Sequence, residues 1–306
     1  MSRPDTSIII VSWKVKSLLH NCLASIRAHH RGDSEIVVVD NDSADGTVPE
    51  TRSQFPEIKV IENRENVGFS KANNIGIQHS KGSAILFLNP DTLLSEDTVS
   101  KMREVFRQDP SVGAVGCMLV DENRKIDFQC AKRLPTIFNL LIEPYLYRIG
   151  IRCKTDLPMR EWDHRDNRHV ECLMGACLMV PRDVLEIAGY WDESMFMYAE
   201  DVELCHRISR HGYKLFYLAD SAVIHFGQRS AMQDYVNVNA AAVRSMRKYF
   251  SRQRSPLYGS IYQFMSILNL IIKSFILLLF APVRSKRHIE EAGQCLGMAF
   301  RLILQP

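Results

Sequence analysis

Short apolar runs that alternate with helical periodicity are the feature that most constrains how this chain can fold. The runs have the length and the β-branched content of strands that are buried on both faces. Between them, apolar residues recur every three or four positions, as in amphipathic helices. This alternation predicts an α/β fold, with a mostly parallel, doubly wound sheet flanked by helices. The predicted strands are Ser7–Ser12, Glu35–Asp40, Ile58–Ile61, Ala84–Leu88 and Val112–Val120.

The fourth run ends abruptly in a polar turn that contains Asn89, Pro90 and Asp91. Pro90 cannot donate to a sheet ladder, so pairing stops there and Asp91 is left at the carboxyl end of a core strand. Ligands bind at that edge of an open α/β sheet. We therefore expect Asp91 to hold a divalent cation that bridges a diphosphate. The same residues also suit a plain strand-ending turn with a surface carboxylate.

The second run also ends in a dense polar turn, which begins at Asp40. Because the carboxyl ends of parallel strands meet at one edge, Asp40 and Asp91 are expected to face one cleft. The chain has neither a G-x-G-x-x-G motif after its first run nor a G-x-x-x-x-G-K-[ST] motif. A nucleotide held by carboxylates and a metal, rather than by a glycine cradle, is the remaining interpretation.

A second polar cluster lies between Gly189 and Arg207. Glu200 and Asp201 open an amphipathic helix, and acids at that position usually complement the helix dipole. The dense aromatic residues before them favour a walled pocket instead, where a carboxylate accepts a proton from an incoming hydroxyl. Those aromatic residues are Tyr190, Trp191, Phe196 and Tyr198.

Two further stretches carry weaker signals. His225 lies near the end of the predicted strand Ala222–Phe226. A single histidine is more often a satisfied core residue, but beside Asp91 it would be a sensible metal ligand. The segment from Asn123 to Val170 is irregular, and such segments often form lids or acceptor sites.

Taken together, these stretches resemble the family 2 inverting glycosyltransferases with the GT-A (Rossmann-like) fold, and most closely their bacterial rhamnosyltransferase-like branch. They occur in the family's order over roughly residues 5 to 230, and the combination is far more specific than any single piece. The matching stretches are Ser7–Ser12, Val39–Ser43, Glu65–Phe69 with Ala72 and Asn73, Leu88–Asp91, and Gly189–Glu193 through Glu200–Leu204.

The resemblance implies roles for the matching positions. Asp40 would hold the nucleotide base and Asp201 would deprotonate the acceptor hydroxyl. Asp91 would bind Mg²⁺ or Mn²⁺ on the diphosphate, and His225 would complete the metal shell. The implied nucleotide-sugar site consists of Ser12, Asp40, Asn66, Gly68, Asn73 and Asn89, and the implied acceptor pocket of Gly175, Trp191, Asp192 and Glu200. Asn89 departs from the family, since its D-x-D motif often begins with aspartate, and one charge fewer would weaken metal binding.

The implied reaction is a direct, inverting displacement that transfers a sugar, by resemblance rhamnose from dTDP-rhamnose. The acceptor would be a glycan or a lipid-linked intermediate of cell-surface polysaccharide synthesis. Nothing in the sequence identifies the sugar, so a UDP-hexose or UDP-N-acetylhexosamine donor stays open. The non-enzymatic alternative is an inactive membrane scaffold, and the joint presence of the three aspartates and His225 speaks against it.

The chain is predicted to divide into a glycosyltransferase domain, residues 1–255, and a helical segment, residues 256–306, that binds membranes or another copy. Tyr258–Ala281 is strongly apolar, and its polar residues fall three or four apart in one narrow stripe. Basic residues flank it at Lys248–Arg254 and Arg284–Arg287. The length suits a spanning helix, but the stripe and flanks favour an amphipathic helix lying on anionic lipid. In the alternative, the C-terminal helices simply pack on the core.

Composition narrows the partners and the compartment. The net charge of +3 is too small to argue for nucleic acid as a partner. Eight cysteines without a C-x-x-C pair are typical of buried, reduced thiols in a cytosolic protein. The apolar run Ser7–Trp13 is too short for a signal peptide. We therefore expect a cytoplasmic enzyme, peripheral on the cytosolic face of the inner membrane, where it would meet a lipid-linked acceptor.

Overall fold

The computed structural model describes residues 4–153, 155–195, 198–227, 235–279 and 286–304. The chain divides into two compact units: the first contains residues 1–135, 154–193 and 200–230, and the second contains residues 136–153, 194–199 and 231–306. Phe196 of the predicted aromatic wall, Ala281 at the end of the predicted apolar stretch, and Arg284 lie outside the described residues.

The elements follow one another in the order that strand and helix periodicity indicated. The strands are β1 (Thr6–Ser12), β2 (Ser34–Asp40), β3 (Lys59–Glu62), β4 (Ala84–Leu88), β5 (Thr92–Leu94), β6 (Val112–Val120), β7 (Ala131–Lys132), β8 (Arg168–Val170), β9 (Cys172–Leu173), β10 (Cys177–Pro181) and β11 (Lys214–His225). The helices are α1 (Lys16–His29), α2 (Thr47–Gln54), α3 (Phe69–Gln78), α4 (Thr98–Gln108), α5 (Ile137–Leu141), α6 (Glu143–Arg148), α7 (Arg182–Ala188), α8 (Glu200–Arg210), α9 (Tyr235–Gln253), α10 (Pro256–Leu279) and α11 (Lys286–Leu304).

Among its described residues, the first unit is built on a nine-stranded sheet in the order β3-β2-β1-β4-β10-β6-β11-β5, with β8 on β11. Strands β3, β2, β1 and β4 are parallel neighbours, as are β6 and β11. Strand β10 is antiparallel to both β4 and β6, so β4, β6 and β11 all run in one direction. The predicted mostly parallel sheet is therefore confirmed. The three-residue strand β5 was not predicted, because so short a segment carries no periodicity.

The middle of this sheet is apolar on both faces. Strand β4 is buried at all five positions, and Ile8–Ile10 of β1 are fully buried beside it. Helices cover both faces of such strands, which is why the sequence shows continuous apolar runs instead of alternation. Phe87 of β4 meets the ring of Trp191 edge-on, with ring centroids 4.9 Å apart. The core strand thereby supports a residue that was assigned to the acceptor pocket.

The second unit is helical in its described residues and contains α5, α6, α9, α10 and α11. Helix α10 packs closely on α11, whose buried residues include Ala292, Cys295 and Leu302. By length and composition, α10 is long and apolar enough to cross a membrane.

Three polar residues of α10, Gln263, Ser266 and Ser274, are buried in the helical unit, whereas Ser260 and Lys273 are exposed. Gln263 Nε2 donates a hydrogen bond to the carbonyl oxygen of Leu302 at 3.1 Å, and Ser274 Oγ donates one to the carbonyl oxygen of Ala292 at 2.9 Å. Both side chains are buried. Two residues of the predicted polar stripe therefore bond to α11.

Replacement of Phe87 by alanine tests the central packing. Phe87 is fully buried, so the substitution should lower the free energy of unfolding by about 3–5 kcal/mol, measured by urea denaturation. Ile187 on α7 is 54% exposed, and Ile187→Ala should cost less than about 0.5 kcal/mol. Equal losses for the two variants would contradict this description of the core.

Candidate active site

The carboxyl ends of β1 and β2 bring two predicted nucleotide-site residues together. Ser12 and Asp40 are partners in the parallel register of these strands, and both are buried. The Asp40 carboxylate accepts hydrogen bonds from the backbone N–H of Ser43 at 2.9 Å and from Ser43 Oγ at 2.5 Å. Burial raises the pKa of Asp40, although the bonds from Ser43 oppose that shift. Within the described part of the chain, Ser12 Oγ is buried without a hydrogen-bond partner, which is typical of an atom awaiting a ligand or water.

A loop before α3 supplies the other predicted residues of this half of the site. Asn66 Oδ1 accepts a hydrogen bond from the Gly68 N–H at 3.0 Å, and Gly68 has a φ of +84°, which favours glycine. The Gly68 carbonyl in turn accepts a bond from Asn41 Nδ2 at 3.3 Å, which ties the loop to the turn after β2. Asn73 is buried and donates to the Phe69 carbonyl within its own helix. The loop and the β2 turn are therefore one connected structure.

Asp91 and His225 form the candidate metal centre. His225 Nε2 lies 3.4 Å from Asp91 Oδ1, and both side chains are largely buried. Pairing of β5 with β11 sets this distance, because His225 is the register partner of Thr92 and the Phe226 N–H donates to the Asp91 carbonyl at 3.0 Å. Sheet pairing, rather than nearness in sequence, brings the two residues together.

The donor set of this pair fits a divalent cation that shares its shell with a substrate. The described residues contain no group of three or more His, Cys, Asp or Glu side chains arranged to hold a metal ion. Asp91 and His225 would therefore provide two ligands and leave the remaining positions to phosphate oxygens and water, as Mg²⁺ sites that bind nucleotides commonly do. Asn89 lies in the same turn as Asp91, and its N–H donates to the Ala176 carbonyl at 2.9 Å.

The predicted base, Asp201, lies at the start of α8 beside the amino end of β10. Asp201 Oδ2 accepts a bond from the Gly175 N–H at 3.4 Å and lies 3.7 Å from Lys132 Nζ. A Cβ atom on Gly175 would lie 3.5 Å from Asp201 Cβ and from Trp191 Cη2, which is ordinary van der Waals contact, so the backbone of Gly175 lies next to both side chains. A backbone N–H and an ammonium group both stabilise a carboxylate charge at this position.

Glu200, next to Asp201, has the opposite environment. It is buried, and burial together with the negative charge of Asp201 raises the pKa of Glu200 from 4.5 to about 8. Burial is the largest single influence on the pKa of Lys132 and lowers it, but the surrounding acids and thiols, Asp201 first among them, together outweigh burial and the net shift is upward. The arrangement separates two adjacent acids, because one is paired with a cation while the other favours its neutral form.

Trp191 connects the two halves of the site. Its backbone N–H donates to Asn74 Oδ1 at 3.1 Å, and Asn74 Nδ2 donates to the Trp191 carbonyl at 2.9 Å. The indole ring packs edge-on against Phe69 of α3 as well as against Phe87, and its Nε1 is buried without a partner in the described part of the chain. Asp192 follows and is half-buried.

The topology places most of the predicted residues at one edge of the sheet. Asp40, Asp91 and His225 lie at the ends of strands that run in the same direction, and Gly175 precedes β10, whose start pairs with the end of β4. Side-chain contacts divide these residues into separate groups. Asp40 accepts hydrogen bonds within its own turn, Asp91 lies beside His225, and Asp201 accepts a bond from Gly175 and lies near Lys132. The backbone bond from Asn89 to Ala176 joins the metal turn to the Asp201 group.

Sequence reasoning missed two residues of this site. Lys132 lies in a two-strand pairing of β7 with β9 inside the irregular segment, where no periodicity indicates which way a side chain points. Asn74 did carry a signal, because it is a polar residue on the buried face of the amphipathic helix α3.

Comparison with known proteins identifies the class. Residues 4–248 match the family described as glycosyltransferase like family 2, and the chain belongs to that family. The likeness in fold extends to a mannosyltransferase from Pyrobaculum calidifontis, solved in complex with GDP-Man and Mn²⁺, with a TM-score of 0.59 and 17% identity over 99% of this chain and 88% of that one. The protein is therefore a glycosyltransferase with the GT-A fold, as the sequence resemblance predicted.

Two curated relatives are similar in sequence. The chain is 23% identical to the N-acetylglucosaminyl-diphospho-decaprenol L-rhamnosyltransferase of Mycobacterium tuberculosis, over 92% of this chain and 95% of the relative. It is 37% identical to an N-acetylglucosaminyltransferase of Bradyrhizobium elkanii, over 40% of this chain and 69% of the relative. The likeness to the first covers nearly the whole length of both proteins and confirms the rhamnosyltransferase-like resemblance.

The raised pKa of Glu200 predicts a specific pH dependence of stability. The folded protein keeps a proton on Glu200 that the unfolded chain releases above pH 4.5, so this residue destabilises the fold progressively as pH rises from 4.5 towards 8. The melting temperature of Glu200→Gln minus that of the wild type should therefore be more positive at pH 8 than at pH 5. The measurement is thermal unfolding at both pH values.

The control is Glu161→Gln, which alters an exposed carboxylate of the same unit. Its melting temperature relative to wild type should be the same at both pH values. A difference between Glu200→Gln and wild type that does not change with pH would contradict the assignment of a neutral Glu200.

Proposed function

We propose that this glycosyltransferase transfers rhamnose from dTDP-rhamnose, with inversion at the anomeric carbon, to a lipid-linked or glycan acceptor of cell-surface polysaccharide synthesis. The proposal rests on two carboxylates near one edge of the sheet that have different partners. Asp91 lies beside His225, and Asp201 lies beside Lys132. The likeness to the mycobacterial rhamnosyltransferase over nearly its whole length supports the choice of sugar and of a diphosphate lipid acceptor.

In this proposal, residues of the first unit bind the sugar donor and the metal at one end of a cleft and activate the acceptor at the other end. Asp40 and Ser12 hold the nucleotide, and Asn66, Gly68, Asn73 and Asn89 line the donor. Asp91 and His225 hold Mg²⁺ or Mn²⁺, which supplies neutralisation of charge on the leaving diphosphate. The presence of Mn²⁺ in the structural neighbour supports a divalent metal.

Asp201 acts as the general base at the other end. It takes the proton of the acceptor hydroxyl while the oxygen attacks the anomeric carbon on the face opposite the departing diphosphate, so a single step inverts the configuration. Lys132 and the Gly175 N–H contact the Asp201 carboxylate and hold it in position for this step. Gly175, Trp191, Asp192 and Glu200 form the acceptor pocket, in which a neutral Glu200 can donate a hydrogen bond to a sugar hydroxyl.

A second donor has specific support. The stretch of 37% identity to an N-acetylglucosaminyltransferase favours N-acetylglucosamine from a UDP sugar as the alternative to rhamnose. The roles of Asp91, His225 and Asp201 would be unchanged, because they act on the diphosphate and on the acceptor hydroxyl.

We also propose that the enzyme works on the cytosolic face of the inner membrane, with the segment 256–306 as a membrane-associating element. The apolar length of α10 supports this location, as does the diphospho-decaprenol acceptor named for the mycobacterial relative.

The donor and the metal pair are tested by thermal stabilisation with a panel of nucleotide sugars. With Mn²⁺ present, dTDP-rhamnose should raise the melting temperature of the wild type more than UDP-glucose or UDP-N-acetylglucosamine does, because a ligand stabilises only the fold that binds it. His225→Ala should weaken the metal-dependent part of this effect by at least about tenfold in apparent affinity. A larger effect of a UDP sugar would favour the alternative donor, and an unchanged response of His225→Ala would contradict its role in the metal centre.

The base is tested by Asp201→Asn. The amide is similar in shape but cannot accept the proton, so kcat should fall by about 10²–10⁴-fold while dTDP-rhamnose still raises the melting temperature. Release of nucleotide diphosphate in the presence of acceptor measures the rate. Asp183→Asn, which changes an exposed acid in the first turn of α7, should leave kcat unchanged. Normal turnover by Asp201→Asn would refute the assignment.

A further inference from the structure

The outward face of α10 is apolar along the whole helix. Phe264 is 67% exposed and Phe275 is 63% exposed, values that are unusual for large aromatic side chains. Exposed apolar residues recur every three or four positions, which places them in one continuous stripe. The stripe contains Leu257, Ile261, Phe264, Leu268, Ile272, Phe275 and Leu279.

Helix α10 has its apolar side chains on the outside and polar contacts on the buried side, which is the opposite of a surface helix in a water-soluble protein. Gln263 and Ser274 bond to carbonyl groups of α11, while large apolar side chains point away from α11. Apolar exteriors with polar contacts between helices are typical of helices that pack within lipid. A second copy fits less well, because helix seams in water carry charged flanks and α10 contains a single charged residue, Lys273.

The helices α5 and α6 continue the exposed apolar surface within the same unit. The hydroxyl of Tyr145 donates a hydrogen bond to Asn269 Oδ1, which fastens α6 to the middle of α10. The capping box of α5, formed by Thr136 and Asn139, gives this short helix a defined start. The exposed apolar side chains of the segment are Phe138, Ile142, Tyr145, Tyr147, Ile149 and Ile151.

Charge identifies the kind of lipid that suits this surface. The second unit contains twelve Lys and Arg and four Asp and Glu, which gives a net charge of +8. The first unit contains twenty-six Lys and Arg and thirty-one Asp and Glu, which gives a net charge of −5. Within residues 136–153 the acid, Glu143, is buried, while Arg148 and Arg152 are exposed. Arg148 lies 6.0 Å from the centre of the Tyr145 ring. Tyrosine and arginine side by side are typical of the headgroup level of an anionic bilayer.

We propose that residues 136–153 and α10 form one lipid-binding surface for anionic bilayers, with the apolar stripe of α10 in the hydrocarbon and α5–α6 at the headgroup boundary. This inference deepens the membrane association proposed above and rests on it. It adds a second contact, distant in sequence from the C-terminal segment, and assigns Arg148 and Arg152 to anionic headgroups.

The test is sedimentation of the full-length protein with phosphatidylcholine vesicles, with and without phosphatidylglycerol. Ile149→Asp combined with Ile151→Asp should lower the partition coefficient for phosphatidylglycerol vesicles by at least about tenfold, and so should Phe264→Asp. Arg148→Gln combined with Arg152→Gln should reduce the preference for phosphatidylglycerol by about tenfold or more and leave binding to phosphatidylcholine vesicles unchanged. The matched control is Ile187→Asp, an exposed isoleucine of the first unit, which should bind like the wild type.

Two results would overturn the proposal. One is a double isoleucine variant that binds vesicles like the wild type while Phe264→Asp does not, since α5–α6 would then make no lipid contact. The other is a lipid-free wild type that is dimeric and becomes monomeric in the double isoleucine variant, since the surface would then join two copies. The dTDP-rhamnose melting shift of each variant separates these results from failure of the proposed donor chemistry, because that shift reports on the first unit alone.

Discussion

The pairing of β4 with β10 is the contact on which the arrangement of the site depends. Strand β10 runs antiparallel to β4, so its amino end lies beside the carboxyl end of β4. The bond from the Asn89 N–H to the Ala176 carbonyl extends the pairing one step beyond the strand, and Gly175 then reaches Asp201. The antiparallel strand β10 therefore connects the metal turn to the residue proposed as the base.

The electrostatics of the acceptor side follow from the same geometry. The Gly175 N–H donates to Asp201 at the start of α8, and Asp201, the second of two adjacent acids, lies 3.7 Å from Lys132 Nζ. Only one of the acids meets the cation, and burial favours the neutral form of the other. Two neighbouring carboxyl groups thereby become chemically different, which is how proteins commonly separate a base from a hydrogen-bond donor.

Sequence reasoning could find the parallel strands and their polar ends because both are local signals. Continuous apolar runs identify buried strands, and a proline after such a run identifies its end. The position of Lys132 could not be found, because it depends on a two-residue strand that pairs with a segment forty residues away. The stripe on α10 was visible, but periodicity alone does not say whether a stripe of polar residues faces water or a neighbouring helix. The distance between Asp91 and His225 depends on β5, which is too short to be recognised.

The inward hydrogen bonds of α10 have a consequence for how this helix pair behaves in different surroundings. Gln263 and Ser274 each bond to one particular carbonyl of α11, so displacement by a single residue would break both contacts. Because these contacts lie between the helices, neither water nor hydrocarbon outside competes for them strongly. The pair can therefore keep the same alignment in either medium, and transfer between the two would require no rearrangement of its backbone.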